Sequence, residues 1–349
     1  MKIQYQLKIL SSLIALLAIT SCGKKEVEQA QQDPGQVNVY SHRHYETDQA
    51  LFAGFEAQTG IRVNVVKASA DELIERLKSE GEQSPADMLI TVDVGRLSHA
   101  KAEGLLQPIQ SLDVLKRVPE YLKDEEGTWL ALTKRARVVV YNREKVSKDE
   151  LPDYEDLALP AWKGRVITRS SSNIYNQSWI ASMIAAHGIE KTEEWAKGVV
   201  VNFARSPQGN DRDQIRAVAE GLADVAVVNT YYLGLLLSGS EEDRKVGEKV
   251  AVHFPNQSGR GTHINVSGAA IVRGAKNRKQ AEQLIAYLLS PEAQRSFAEA
   301  NHEYPVISGV EPSELVRSWG DFKEDTTILG KMGELGRDAL KLADRAGWK

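Results

Sequence analysis

From Val37 onward, apolar and polar positions follow two alternating rhythms. Val37-Asn38-Val39-Tyr40-Ser41 alternates with a period of two, as a strand with one buried face does. Thr47 or Asp48 then opens a stretch whose apolar positions Leu51, Phe52 and Phe55 share one helical stripe, and Gly60 stops it. Ile61 to Val66 reads as the next strand, Asp71 to Ser79 as a helix, and Ala86 to Val92 as a buried strand. Val94 to Glu103 is helical again, with Gly104 as its stop. Three strand–helix cycles predict a parallel sheet covered by helices.

A second cycle begins near Arg137. Val138-Val139-Val140-Tyr141 reads as a strand, Pro160 to Gly164 as a turn, and Arg165 to Thr168 as another strand. Ser178 to His187 is expected to be helical and Val199 to Phe203 extended. Asp211 to Glu220 forms a helix ended by Gly221, and Ala223 to Val228 a buried strand. Further on, Ile264 to Ile271 is strand-like. Asn277 to Leu289 places Ala281, Leu284, Ile285, Leu288 and Leu289 on one stripe, and Thr326 to Ala346 is expected to be helical. The order fits an α/β protein of two units joined by crossing segments, with a ligand in the cleft between them.

The first 21 residues break this pattern. Lys2 and Lys8 precede a short apolar run from Ile9 to Thr20, too short to span a bilayer comfortably, so an export signal is expected. Ile19-Thr20-Ser21-Cys22 looks like a bacterial lipobox, in which Cys22 is lipidated and becomes the first residue after cleavage. Cys22 is the one cysteine in 349 residues, which excludes an intrachain disulfide, a cysteine zinc site and a catalytic thiol elsewhere. Residues 22–36 are polar, without apolar periodicity, and read as a flexible tether. Loss of Lys2 and Lys8 would take the formal charge of −4 two units lower, so nothing in the balance suggests a nucleic-acid partner.

Candidate chemistry concentrates in three loops that each follow a predicted strand and precede a helix. These are Ser41-His42-Arg43-His44-Tyr45, Arg169-Ser170-Ser171-Ser172-Asn173-Ile174-Tyr175 and Asn229-Thr230-Tyr231-Tyr232. Carboxyl ends of strands are where open α/β sheets bind ligands, and each loop carries tyrosine where small turn residues are usual. A phenolate is a hard anionic donor, but a free phenol titrates near pH ~10, so deprotonation at neutral pH requires a strong positive charge. Ferric iron supplies it, and a Tyr/His donor set suits iron better than soft metals or magnesium. His42 and His44 could chelate by themselves from a shared strand face; His42 is expected to be a bystander.

The same loops support a second reading. Ser170, Ser171, Ser172, Asn173 and Thr230 lie near helix starts, where backbone N–H groups favour sulfate or phosphate, and the tyrosines would then merely wall the pocket. Lys134, Arg135 and Arg137 fit either account, as anion ligands or as cations beside phenolates; Lys134 fits solvated surface charge as well. There is no G-x-S-x-G elbow, H-E-x-x-H pair or phosphate-binding P-loop, so no catalytic constellation competes. Adjacent Tyr231 and Tyr232 cannot both face one way on a strand, so the chain is expected to turn into a helix there.

At these residues the chain resembles the periplasmic ferric-iron-binding proteins of ABC importers, in the branch with a His-Tyr plus three-Tyr site. The likeness runs through Val-Tyr-Ser-His-Arg-His-Tyr (39–45), Lys-Arg-Ala-Arg-Val (134–138) and Asn229-Thr230-Tyr231-Tyr232-Leu233-Gly234. It continues in Asn-Gln-Ser-Gly-Arg-Gly-Thr-His (256–263) and Glu303-Tyr304-Pro305-Val306. The resemblance implies a type II periplasmic binding protein: an iron receptor, not an enzyme, in which two α/β lobes close over the metal. Lobe 1 would comprise 37–137 and 262–312, lobe 2 138–261 and 313–349. By the same resemblance His44, Tyr45, Tyr175, Tyr231 and Tyr232 are the iron ligands, Fe3+ favoured over Fe2+, with Tyr45 from the first lobe and the other tyrosines from the second. Arg135 would balance their charge, and with His44 present no obligatory anion is expected. The implied partner is a membrane permease, and the expected form is a monomer held by its lipid on the periplasmic side of the envelope.

Overall fold

A computed structural model describes residues 35–43, 45–327 and 329–349. The expected signal segment, Cys22, nearly all of the tether and His44 lie outside the described residues.

The strands are β1 (Gln36–Ser41), β2 (Arg62–Lys67), β3 (Met88–Thr91), β4 (Leu106–Gln107), β5 (Trp129–Asn142), β6 (Val166–Ile167), β7 (Val225–Asn229), β8 (Val250–His253), β9 (Thr262–Val272) and β10 (Glu324–Asp325). Their main path runs β2-β1-β3-β9-β5-β7-β6. The first three strands pair in parallel, as their helical crossovers require. β9 enters antiparallel to β3, and β5 antiparallel to β9, so the sheet is mixed rather than parallel throughout.

β5 determines where the site can form. Its first part pairs with β9 as far as Ala136↔Ile264, and from Arg137↔Asn229 it pairs with β7, with β8 on its other edge. One strand thus passes from one sheet region into the next between Ala136 and Arg137. Its second half is covered on both faces. Val138 and Val140 pack in the same apolar cluster as Ala226 and Val228, while Val139, Tyr141, Val225 and Val227 join a second cluster built on Trp179, Trp195 and Trp348. That two-sided burial makes both strands read as uninterrupted apolar runs.

Three expectations need correction. The strand expected from Val138 begins at Trp129, so Lys134, Arg135 and Arg137 lie within it. Charge in mid-strand looks like a loop signal, yet each of these cations has an acidic or carbonyl partner inside the protein. Val199, Val200 and Val201, expected to be extended, end the helix Ile189–Val201. Their β-branched preference yields to the burial of Trp195, Ala196 and Val199 on one helical face. The C-terminal segment expected to be helical from Thr326 becomes an α-helix only at Met332.

Just before it, Glu324 and Asp325 pair with Thr262 and His263 of β9. Gly261 makes that pairing possible. It sits at φ +99°, and a Cβ there would lie 2.6 Å from the carbonyl oxygen of Lys323.

Candidate metal centre

Each of the three tyrosine loops is a strand-to-helix junction. β1 ends at Ser41, and Tyr45 is the N-cap of the helix Glu46–Thr59, with extended backbone (φ −75°, ψ 147°). After β6, Asn173 caps the helix Ile174–His187: its side-chain oxygen accepts the Tyr175 N–H at 2.9 Å, which fixes Tyr175 in the first turn. β7 ends at Asn229 and the helix Thr230–Leu237 follows at once. Tyr231 and Tyr232 therefore lie on a helical first turn, as expected, and their rings meet at 4.3 Å between centroids.

The four phenols converge. Tyr45 meets Tyr231 edge-on, centroids 6.5 Å apart and planes at 83°. The Tyr231 hydroxyl donates to that of Tyr175 at 3.3 Å. Tyr231 is the innermost, only 3 % exposed, whereas Tyr45, Tyr175 and Tyr232 are half-buried. Guanidinium groups surround the cluster. Arg169, Arg135 and Arg137 lie 5.4, 5.5 and 6.0 Å from the Tyr175 ring centre, Arg43 5.0 Å from Tyr45, and Arg212 6.0 Å from Tyr232.

Electrostatically, the cluster resists ionisation until a cation arrives. Burial raises the pKa of Tyr231 well above the usual phenol range, and the neighbouring Tyr175, Tyr45 and Tyr232 push it further; Arg135 opposes them. Tyr45 is raised by burial first and then by Glu303 and Tyr175, with Arg43 opposing. Burial, Tyr175 and Asp211 raise Tyr232. All three are neutral phenols at pH 7 when nothing positive sits between them. A hard, highly charged cation inserted there would ionise them and be neutralised by them.

Arg135 is almost completely buried. Its Nη2 donates to the carbonyl of Val92 and lies 3.9 Å from Asp93, but its Nε and Nη1 have no hydrogen-bond partner among the described residues. Two unpaired N–H groups beside four phenols suit a residue whose partners become anionic when a metal binds. In Arg137, by contrast, both terminal nitrogens are engaged and Nε alone has no hydrogen-bond partner among the described residues. Its Nη1 reaches Asp211 at 2.6 Å and Asn229 at 3.1 Å, and its Nη2 reaches Asn176 at 2.7 Å. Arg137→Met should therefore cost about 3 kcal/mol of stability in urea unfolding, because the buried Asp211 would keep only Arg169, at 3.4 Å, as a charge partner. Unchanged unfolding would contradict this.

Lys134 pairs with Glu324 at 2.5 Å. The hydroxyls that an anion would need are also turned elsewhere. Ser170 and Ser172 bond each other at 2.9 Å, Ser171 donates to the Trp348 carbonyl, and Thr230 accepts the Ala136 N–H. Among the described residues no group of three His, Cys, Asp or Glu side chains could hold a metal, so phenols are the donors on offer. Arg43 and Glu303 also pair beside this cluster, at 2.9 Å. That pairing joins an arginine inside the first tyrosine loop to an acidic residue some 260 positions away, which one sequence does not reveal.

Residues 50–324 match the family model described as bacterial extracellular solute-binding protein. Iron uptake protein A1 of Synechocystis is 52 % identical over 95 % of this chain and 93 % of its own. The Trichodesmium protein solved in complex with iron and citrate ligands superimposes with a TM-score of 0.87 at 51 % identity, over 90 % of this chain and all of that one. The ferric binding protein of Campylobacter jejuni gives 0.86 at 42 % identity, over the same shares. The type II periplasmic-binding-protein fold of these structures is also the fold described above, with the tyrosines at its strand ends. The chain belongs to the bacterial extracellular solute-binding protein family.

Proposed function

We propose that this protein is the periplasmic iron receptor of an ABC importer, taking Fe3+ as cargo and delivering it to a permease rather than catalysing a reaction. The observation that carries this reading is the convergence of four phenols from three separate strand ends, ringed by arginines. Neutral phenols offer an anion little, and the nearby Arg43, Lys134 and Arg137 are already paired with carboxylates. The phenols offer a ferric ion four hard donors and up to four negative charges.

Tyr45, Tyr175, Tyr231 and Tyr232 are proposed as ligands, His44 as a fifth donor and Arg135 as the counter-charge. The lobes are proposed to divide where β5 leaves β9 for β7, with the first comprising 37–137 and 262–312. Cys22 is proposed as the lipid anchor of a monomer, on the residues around it alone.

Added Fe3+ should give a visible phenolate-to-iron charge-transfer band that weakens in Tyr231→Phe and Tyr232→Phe. A colourless protein that instead binds sulfate tightly would overturn the assignment.

A further inference from the structure

Arg43 sits inside the first tyrosine loop with its guanidinium 2 % exposed. Every nitrogen of that group has a partner. Nε reaches both Asp48 oxygens at 3.1 and 3.2 Å, and Nη2 reaches Asp48 at 3.1 Å and Glu303 at 2.9 Å. Nη1 reaches Glu303 at 3.0 Å and Thr133 at 3.3 Å. Glu303 is itself held by Thr133 at 2.7 Å and by Asn301 at 3.2 Å. The flat group so fixed lies 5.0 Å from the Tyr45 ring centre and 5.1 Å from that of Phe297.

We infer that Arg43 is a positioning residue of the metal centre, which acts through the Tyr45 ring to hold the phenol oxygen where the metal needs it. The inference rests on the iron-receptor reading. Three features support it. A planar fork clamped by two carboxylates presents one fixed face, which a flexible ammonium cannot do. Tyr45 is the proposed donor that precedes its helix instead of lying within it, so its place depends on what packs against it. Finally, Thr133 stands at the register shift in the β5–β9 pairing, two residues before Arg135. The clamp therefore ties the Tyr45 loop to the strand that carries the counter-charge and crosses towards the other three tyrosines. A purely structural ion cluster would need Asp48, Glu303 and Thr133 but would have no use for the ring.

The test is a double-variant cycle on the full chain, loaded with ferric citrate and challenged with excess EDTA. Arg43→Lys keeps the charge and loses the flat clamp. It should release iron roughly 10- to 100-fold faster, the usual loss for a partner of a metal ligand, and its charge-transfer maximum should move towards that of Tyr45→Phe. The decisive result is coupling: Arg43→Lys combined with Tyr45→Phe should release iron at the rate of Tyr45→Phe alone. Independent, multiplying effects, or a wild-type rate and band in Arg43→Lys, would overturn the inference even if the protein were less stable. Should Arg43→Lys not fold, the charge-free combination Arg43→Met, Asp48→Asn and Glu303→Gln takes its place in the cycle. No charge-transfer colour in the wild type would sink the receptor reading itself, and this inference with it.

Discussion

Tyr231→Phe is expected to cost more ferric-iron affinity than the loss of any other single phenol. Tyr231 is the one ring in contact with all the others: Tyr45 edge-on, the Tyr175 hydroxyl at 3.3 Å, and Tyr232 at 4.3 Å between centroids. It is also the most buried. When Tyr232, half-exposed, loses its oxygen, water can take the vacated coordination position. When Tyr231 does, the metal keeps its charge in a place that water reaches poorly, with one fewer negative donor. The loss should exceed the roughly 10- to 100-fold typical of changes one shell further out. The fold should survive, because phenylalanine fills the same space and only a long neutral hydrogen bond is lost. Competition titration against a chelator, followed at the charge-transfer band, measures all four variants on one scale. If Tyr232→Phe costs more than Tyr231→Phe, the picture of Tyr231 as the central donor is wrong.

Much of this centre was legible in the chain because it follows from local rules. Strand ends announce themselves by where apolar alternation stops, and one helix start by the residues after Tyr45; the helix expected from Ser178 begins instead at Ile174, because Asn173 caps it. The adjacent pair Tyr231-Tyr232 forced a helix by geometry alone. What stayed hidden depends on contacts across the sequence. No periodicity marks β5 as reaching back to Trp129, since its charged positions only make sense once Asp93, Asp211 and Glu324 stand beside them. The helix ending at Val201 was obscured for the opposite reason: local β-preference was strong, and the tryptophan core that overrides it is assembled from distant segments. The same holds for Arg43, whose neighbours in sequence give no hint of Glu303.

Acidification should release the metal steeply. Without metal, burial and mutual proximity hold Tyr45, Tyr231 and Tyr232 above the ordinary phenol range, so they carry their protons at any pH below about 9. Bound to Fe3+, a phenol has lost its proton, so binding releases protons and lower pH favours the empty protein. The sign is thus fixed: affinity falls as pH falls. Each phenol that ionises on binding contributes about a ten-fold loss per pH unit, so four would give about 10⁴-fold. Because Tyr45, Tyr231 and Tyr232 start protonated throughout, their part of the slope should be constant from pH 8 to near 7, with no plateau. Chelator competition, corrected for the chelator's own protons, or proton release into a weakly buffered indicator gives the number directly. A slope near zero would mean that the phenols are not ligands, and a slope of three would remove one of them; Tyr232→Phe should lower it by one.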